Sequence, residues 1–183
     1  MLSFISKAPF TSHETCKNLK IKWNITGTNH IRAKYVPTVQ DRCEFCEIEN
    51  RGNAMRCEDG SLYNILFNCR SVRQLCSNLL NLESLKEFHF KTDKSSRLIF
   101  QKDIEFSKIV NFVQFSINLF ILTCRYTKKP TNFKDCIKHL FNKTKLAISI
   151  DSGYVEIECL LILAADLDEE ISKLDEEATN LLQ

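Results

Sequence analysis

The chain has 183 residues, of which 44% are hydrophobic and 26% charged, and its formal net charge is +2. This composition allows a buried core and excludes a disordered chain, and the small positive surplus falls short of the strong basicity that would by itself indicate nucleic-acid binding. Nine cysteines, an odd number, favour reduced thiols inside a cell. The most apolar window, INLFILTCRY, is about half as long as a membrane span, so a soluble protein without membrane contact is expected.

The first sixty residues predict strands. Leu19, Ile21, Trp23 and Ile25 alternate with polar residues, which is typical of a strand with one buried face. The run from His30 to Val39 is a weaker candidate that Pro37 restricts to a sheet edge. Residues 1–60 are therefore interpreted as a reduced or divergent N-terminal region with two or more strands.

Two later segments share an apolar pattern that predicts amphipathic helices. They are SVRQLCSNLLNL, from Ser71 to Leu82, and NFKDCIKHLFN, from Asn132 to Asn142. Ser71 in the first, and Thr131 or Asn132 in the second, are suited to cap the helix. Apolar residues recur at equal offsets in the two copies: Val72, Leu75, Cys76, Leu79 and Leu80 in the first, and Phe133, Cys136, Ile137, Leu140 and Phe141 in the second.

Extended segments are predicted on both sides of each helix. KEFHFK and RLIFQ follow the first helix, while KLAISI and YVEIECLLIL follow the second, and each pair is joined by polar turn residues. Ser61 to Phe67 reads as a strand before the first helix, and Ile104 to Tyr126 as two strands because β-branched and aromatic residues dominate it. A strand, helix, strand, strand unit thus occurs twice within residues 61–166. The acidic residues 167–183 are expected to form a weakly docked helix or a mobile tail.

This repeat resembles the half-domain unit of the sliding-clamp family, which includes proliferating-cell nuclear antigen and the DNA-damage checkpoint clamp. FNCRSVRQLCSNLLNLESLKEFHFKTDKSSRLIFQ is similar to the helix and hairpin that open a clamp domain, and FKDCIKHLFNKTKLAISIDSGYVEIECLLIL is similar to those that close a subunit. The resemblance implies an α+β fold in which the helices lie on one face of an antiparallel sheet. Among clamps, the chain looks most like a divergent subunit of the checkpoint clamp.

The resemblance also implies a function and a set of functional residues. The expected protein is a nuclear, non-enzymatic subunit of a hetero-oligomeric clamp, acting in DNA damage checkpoint or repair with other clamp-like subunits. It would touch double-stranded DNA without reading sequence, through basic side chains on its helices. Those side chains are Arg70, Arg73, Lys134, Lys138, Lys143 and Lys145, and the subunit interface is expected at Leu160, Leu161, Ile162 and Leu163. The same basic residues would otherwise be the solvated faces of amphipathic helices.

The alternative function is a small α+β protein-interaction adaptor, with a segment that zinc stabilises. Its metal candidates are Cys43, Cys46, Cys57 and Cys69, of which the first two form a C-x2-C pair suited to tetrahedral thiolate coordination. A second close pair is missing, so free thiols without metal or cofactor are the default expectation. A cysteine-dependent enzyme is the third hypothesis, but no local pattern places a nucleophile beside a histidine.

Overall fold

The computed structural model describes residues 10–22, 27–49, 60–62, 65–66, 69–87, 108–150 and 153–180. Eight helices lie in these ranges. In chain order they are α1 (Ser12–Lys22), α2 (Asn29–Arg32), α3 (Glu44–Glu49), α4 (Arg70–Leu79), α5 (Glu83–Glu87), α6 (Lys108–Thr127), α7 (Phe133–Ile150) and α8 (Ile157–Asn180).

The predicted α+β fold is wrong, because the described residues are almost entirely helical and contain no strand. The predicted strand from Leu19 begins inside α1, and the weaker strand from His30 is replaced by the short α2 and turns. Segments 88–101 and 104–107, to which predicted strands were assigned, lie outside the described residues. The antiparallel sheet that the clamp resemblance implies is therefore absent from the part of the chain that the structure describes.

Both predicted amphipathic helices are confirmed. In α4 the stripe formed by Val72, Leu75, Cys76 and Leu79 is buried, and in α7 the corresponding Cys136, Ile137 and Leu140 are buried. Asn132 caps α7, since its side-chain oxygen accepts a hydrogen bond of 3.1 Å from the backbone amide of Asp135. Ser71, predicted to cap or open this helix, lies in its first turn, and the N-cap residue is Cys69.

The second predicted hairpin is instead a pair of long helices. Helix α7 continues through KLAISI because Thr144 and Ala147 extend its buried stripe. The chain then turns through Gly153, whose φ of 62° favours glycine, and starts α8 at Ile157. The acidic tail continues α8 as a helix to Asn180.

Helix α6 forms the centre of the core and replaces the two predicted strands. Buried side chains occur on all its faces, which is typical of a helix enclosed by others. It is long and apolar enough to cross a membrane by length and composition, but 72% of the relevant window is buried within the protein, as in a core helix. Helix α1 packs on α6, α6 on α7, and α7 on both α8 and α4.

Two shorter helices connect the remaining parts of the chain. Helix α3 packs against α4, and α5 packs against α8. The second contact is polar as well as apolar, because the Ser84 backbone amide and hydroxyl both donate to the Asp166 carboxylate. One continuous cluster of buried side chains runs from Cys43 to Leu167.

Candidate metal centre

Three cysteines from two distant parts of the sequence lie together beneath the surface. Cys43 immediately precedes α3, Cys46 lies in its first turn, and Cys69 immediately precedes α4. The three-residue spacing of Cys43 and Cys46 brings their side chains to the same side of a helical turn. All three residues are buried, and the packing of α3 against α4 brings the third thiol to the first two.

The sulfur atoms have a spacing suited to a tetrahedral metal ion. All three Sγ atoms lie within 4.8 Å of one another, and those of Cys46 and Cys69 are 4.0 Å apart. A zinc ion bound to thiolates at about 2.3 Å places neighbouring sulfurs about 3.8 Å apart. The observed spacing therefore needs only a small contraction to hold zinc.

Gly60 brings the chain back beside Cys43 before it reaches Cys69. Its backbone amide donates to Oδ1 of Asp41 at 2.9 Å, and its carbonyl accepts from the His30 amide at 3.3 Å. A Cβ atom at this position would lie 2.6 Å from the carbonyl oxygen of Arg42. Only glycine fits this approach of two backbones, so residue 60 positions the thiol cluster without contributing a ligand.

The environment favours a thiolate at Cys69. A hydrogen bond with Cys43 holds the pKa of the Cys69 thiol at about 6, below its usual value of 9.0, against the opposing effect of burial. The backbone amides of Ser71 and Val72, at the start of α4, also lower this pKa. The same hydrogen bond, together with burial, raises the pKa of Cys43. The neighbouring thiol and the first turn of α4 thus both favour the ionised form of Cys69.

The other cysteines have different surroundings. Burial raises the pKa of Cys124 to about 11 and that of Cys136 well above its usual value, so both behave as small apolar side chains of the helical core. Cys16 is exposed. Cys57, the fourth metal candidate from the sequence, lies outside the described residues. Among described residues the metal-compatible group contains cysteines alone, so it offers no histidine as a general base.

Three of the six basic side chains predicted to contact DNA have acidic partners within the chain. Lys134 and Lys138 lie 2.5 Å and 3.7 Å from the carboxylate of Asp175 on α8, and Lys143 pairs with Glu14 on α1. Of the other three, Arg70 and Arg73 are exposed on α4. The ammonium group of Lys145 lies 4.3 Å from the centroid of the Phe141 ring. The paired lysines join helices to one another, a contact that the sequence pattern did not reveal.

The residues predicted to form a subunit interface lie on opposite sides of α8. Leu160 and Leu163 are buried against the rest of the chain, whereas Leu161 and Ile162 are about half exposed. Because the segment is helical, these four residues offer no strand edge to a second subunit.

Comparison with protein-family models, with curated proteins and with solved structures found no match to this chain.

Proposed function

We propose that this chain is a non-enzymatic interaction module whose N-terminal half is held by a structural zinc ion at Cys43, Cys46 and Cys69. The observation that carries this proposal is the group of three buried sulfurs within 4.8 Å of one another. Buried thiolates are soft ligands that select zinc over magnesium or calcium, and closed sulfur sites are typical of structural zinc. Cys57 stays the prediction from the sequence for the fourth ligand.

Exposed apolar side chains support the interaction part of the proposal. Leu146 and Ile150 lie in the last turn of α7 or close to it, and Ile157 and Leu161 lie in the first turns of α8. All four are between 38% and 53% exposed. They lie near the connection between two packed helices, and neighbouring exposed apolar residues of this kind are common where a protein partner binds.

The DNA contact implied by the clamp resemblance has less support. The sheet on which the resemblance depends is absent from the described residues, and Lys134, Lys138 and Lys143 already have acidic partners within the chain. Clamp-like assembly, checkpoint function and nuclear location therefore stay predictions from the sequence. An interaction module requires neither a sheet nor a row of unpaired lysines.

Metal content tests the zinc proposal directly. The full chain is purified under reducing conditions without chelator, and zinc is measured by elemental analysis. We expect one zinc per chain, and lower occupancy after Cys43→Ala, Cys46→Ala or Cys69→Ala. Replacing zinc with Co²⁺ should give sulfur-to-cobalt charge-transfer absorption that each substitution weakens.

Cys136→Ala is the matched control, since Cys136 is equally buried but belongs to α7 and lies outside the group of three. It should leave zinc content and the cobalt spectrum unchanged. Cys57→Ala tests the fourth position in the same assay. If the wild-type chain takes up no zinc when it is supplied, or if Cys136→Ala lowers zinc as much as Cys46→Ala, the proposal is wrong.

A further inference from the structure

A second candidate site lies at the C-terminal end of α6, away from the thiol group. A cavity of about 510 Å³ opens between this helix end and the residues around α2. Its walls are mainly polar. The residues that matter for its chemistry are Arg32, Thr38, Gln40, Glu44, Arg125 and Lys128.

The inner wall contains a buried ion pair with unused hydrogen-bonding capacity. Nε and Nη2 of Arg125 donate to Oε1 of Glu44 at 2.9 and 2.7 Å, and Nη2 also donates to the Gly27 carbonyl at 2.7 Å. The Arg125 side chain is only 5% exposed. Its third nitrogen, Nη1, is buried without a hydrogen-bond partner. Oε2 of Glu44 is also buried without a partner, so this ion pair keeps an unused donor and an unused acceptor behind the cavity wall.

Positive charge dominates the cavity lining. Arg32, Arg125 and Lys128 contribute three cationic groups, whereas Glu44 contributes one carboxylate. Arg32 and Lys128 are exposed, and neither forms an ion pair with another residue in the described ranges. A concave surface with an excess of one charge attracts ligands of the opposite charge. The hydroxyl of Thr38 and the amide of Gln40 add neutral donors to the same lining.

The backbone conformation of Lys128 is one that glycine usually adopts at the end of a helix. Lys128 has a φ of 53°, a conformation that usually requires glycine, and is the one non-glycine residue with positive φ in the described part of the chain. Its amide bonds to the Arg125 carbonyl, and the Lys129 amide bonds to the Cys124 carbonyl, so the turn is the usual glycine-type ending of a helix. Here the chain places a lysine at the cavity, where local geometry favours glycine.

We propose that this cavity binds a phosphate group, with Arg125 at the inner wall and Arg32 and Lys128 at the opening. Guanidinium groups match phosphate oxygens in geometry and charge, and lysine adds a flexible point charge. The group they share is a phosphate with anionic non-bridging oxygens: a free phosphomonoester has three of these and a charge of up to −2, and a nucleic-acid backbone has two per phosphate and a charge of −1. This site goes beyond the proposed zinc-dependent module and uses none of the three cysteine side chains.

The test is an amide NMR titration of the full chain at constant ionic strength. Inorganic phosphate, a nucleoside monophosphate and a short single-stranded oligonucleotide are compared with chloride. We expect saturable shifts at amides of residues 27–44 and 125–129. Tighter binding of the monophosphate would assign the site to a free phosphomonoester, whereas tighter binding of the oligonucleotide would assign it to a nucleic-acid backbone.

Lys128→Gly is the decisive variant, because glycine suits the backbone conformation and the fold should be retained. Removal of this charge should weaken phosphate binding on the order of fivefold. Arg32→Gln should weaken it to a similar extent. Lys129→Gln is the control, since it removes an equal charge from a neighbouring exposed residue outside the lining, and it should change affinity by less than about twofold.

Two results would overturn the inference. The first is the same response to phosphate and to chloride. The second is an equal loss of affinity in Lys129→Gln and Lys128→Gly, because that would show only general attraction to a basic surface. Zinc content can be measured in the same samples, so failure of this site and failure of the metal centre are distinguishable.

Discussion

The region around the thiols and the three long helices are held together by different kinds of contact. Around Cys43 the helices are short, and the chain is connected by backbone hydrogen bonds of Gly60, a buried Arg125–Glu44 pair and three sulfurs. Helices α6, α7 and α8 instead pack through apolar side chains over 18 to 24 residues each. Phe45, Ile65 and Leu66 join the first region to the common apolar core, but its short helices are not stable alone, so it depends on ligation and polar contacts as well.

Removal of zinc should produce the largest difference in stability between the two regions. Structural zinc contributes about 10 kcal/mol or more to folding where it is the organising contact. A zinc chelator should therefore abolish hydrogen-exchange protection in α2, α3 and the start of α4, while α7 and α8 stay protected. The measurement is exchange mass spectrometry with and without chelator. Simultaneous loss of protection in all helices would show that the two regions do not differ in this way.

A substitution in the apolar core of α8 should destabilise the region of the three long helices. Leu163 is fully buried, so Leu163→Ala should lower the free energy of unfolding by about 2 to 5 kcal/mol. Leu161→Ala, two residues away but 52% exposed, should change it by less than about 0.5 kcal/mol. Chemical denaturation of both variants gives the comparison. Equal effects would contradict the helical placement of this segment.

Gly60→Ala should loosen the thiol region without removing a ligand. The added Cβ would meet the Arg42 carbonyl, so the backbones must separate, at a cost of about 1 to 3 kcal/mol. We expect weaker zinc affinity and lower thermal stability, measured by competition with a chromogenic chelator and by melting. Gly27→Ala is the control, because nothing lies within 4 Å of a Cβ at that position.

The ion pair between Glu14 and Lys143 should give the smallest effect, and one that depends on pH. Burial raises the pKa of Glu14, but the hydrogen bond and charge of Lys143 and contacts with Thr11 outweigh it and leave the pKa below 4.5. The resulting stabilisation is present above pH 4.5 and is lost as pH falls through the lower, folded-state pKa.

Glu14→Gln measures this contribution, which should be no more than about 1 kcal/mol at pH 7. The difference in unfolding free energy between this variant and wild type should vanish in acid. Exposed Glu169, which pairs with Lys173 within α8, provides a control substitution to Gln that should have little effect at either pH. A difference that grows in acid would contradict the assigned direction of the pKa shift.

The sequence predicted helices correctly where an apolar stripe was long enough to exclude a strand. The stripes of α4 and α7 span two turns or more, so their period is unambiguous. KLAISI was assigned to a strand because Leu146, Ile148 and Ile150 alternate, yet three alternating residues fit both periods. Thr144 and Ala147, which continue the stripe from Leu140, were the signal that would have decided it.

The strand predicted at the start of α8 was wrong for a similar reason. Leu160, Leu163, Leu167, Ile171 and Leu174 recur at spacings of three and four across the boundary drawn between the predicted strand and the acidic tail. Because the sequence was divided at that boundary, the single apolar stripe of one long helix was not recognised. Helix α6 offered no comparable signal, because a helix buried on all faces has no polar side and its β-branched residues favour a strand on local propensity.

The candidate metal centre was partly visible in the sequence. The C-x2-C pair at Cys43 and Cys46 indicates ligand spacing, but no local pattern reveals that Cys69 approaches it from across the chain. That proximity depends on the docking of Gly60 and on the packing of α3 against α4. The cavity at the end of α6 was not predicted, since its residues come from separate segments of the chain and share no motif.

Glu44 is one of the two residues between Cys43 and Cys46, so the candidate cavity and the thiol group meet in one short segment. Its carboxylate is bonded to Arg125 in the cavity, while Cys43 and Cys46 supply sulfurs to the thiol group. An ion that fixes α3 would also fix the orientation of the guanidinium. With both ligands bound, thermodynamic reciprocity requires that zinc change the affinity for phosphate by the same factor by which phosphate changes the affinity for zinc.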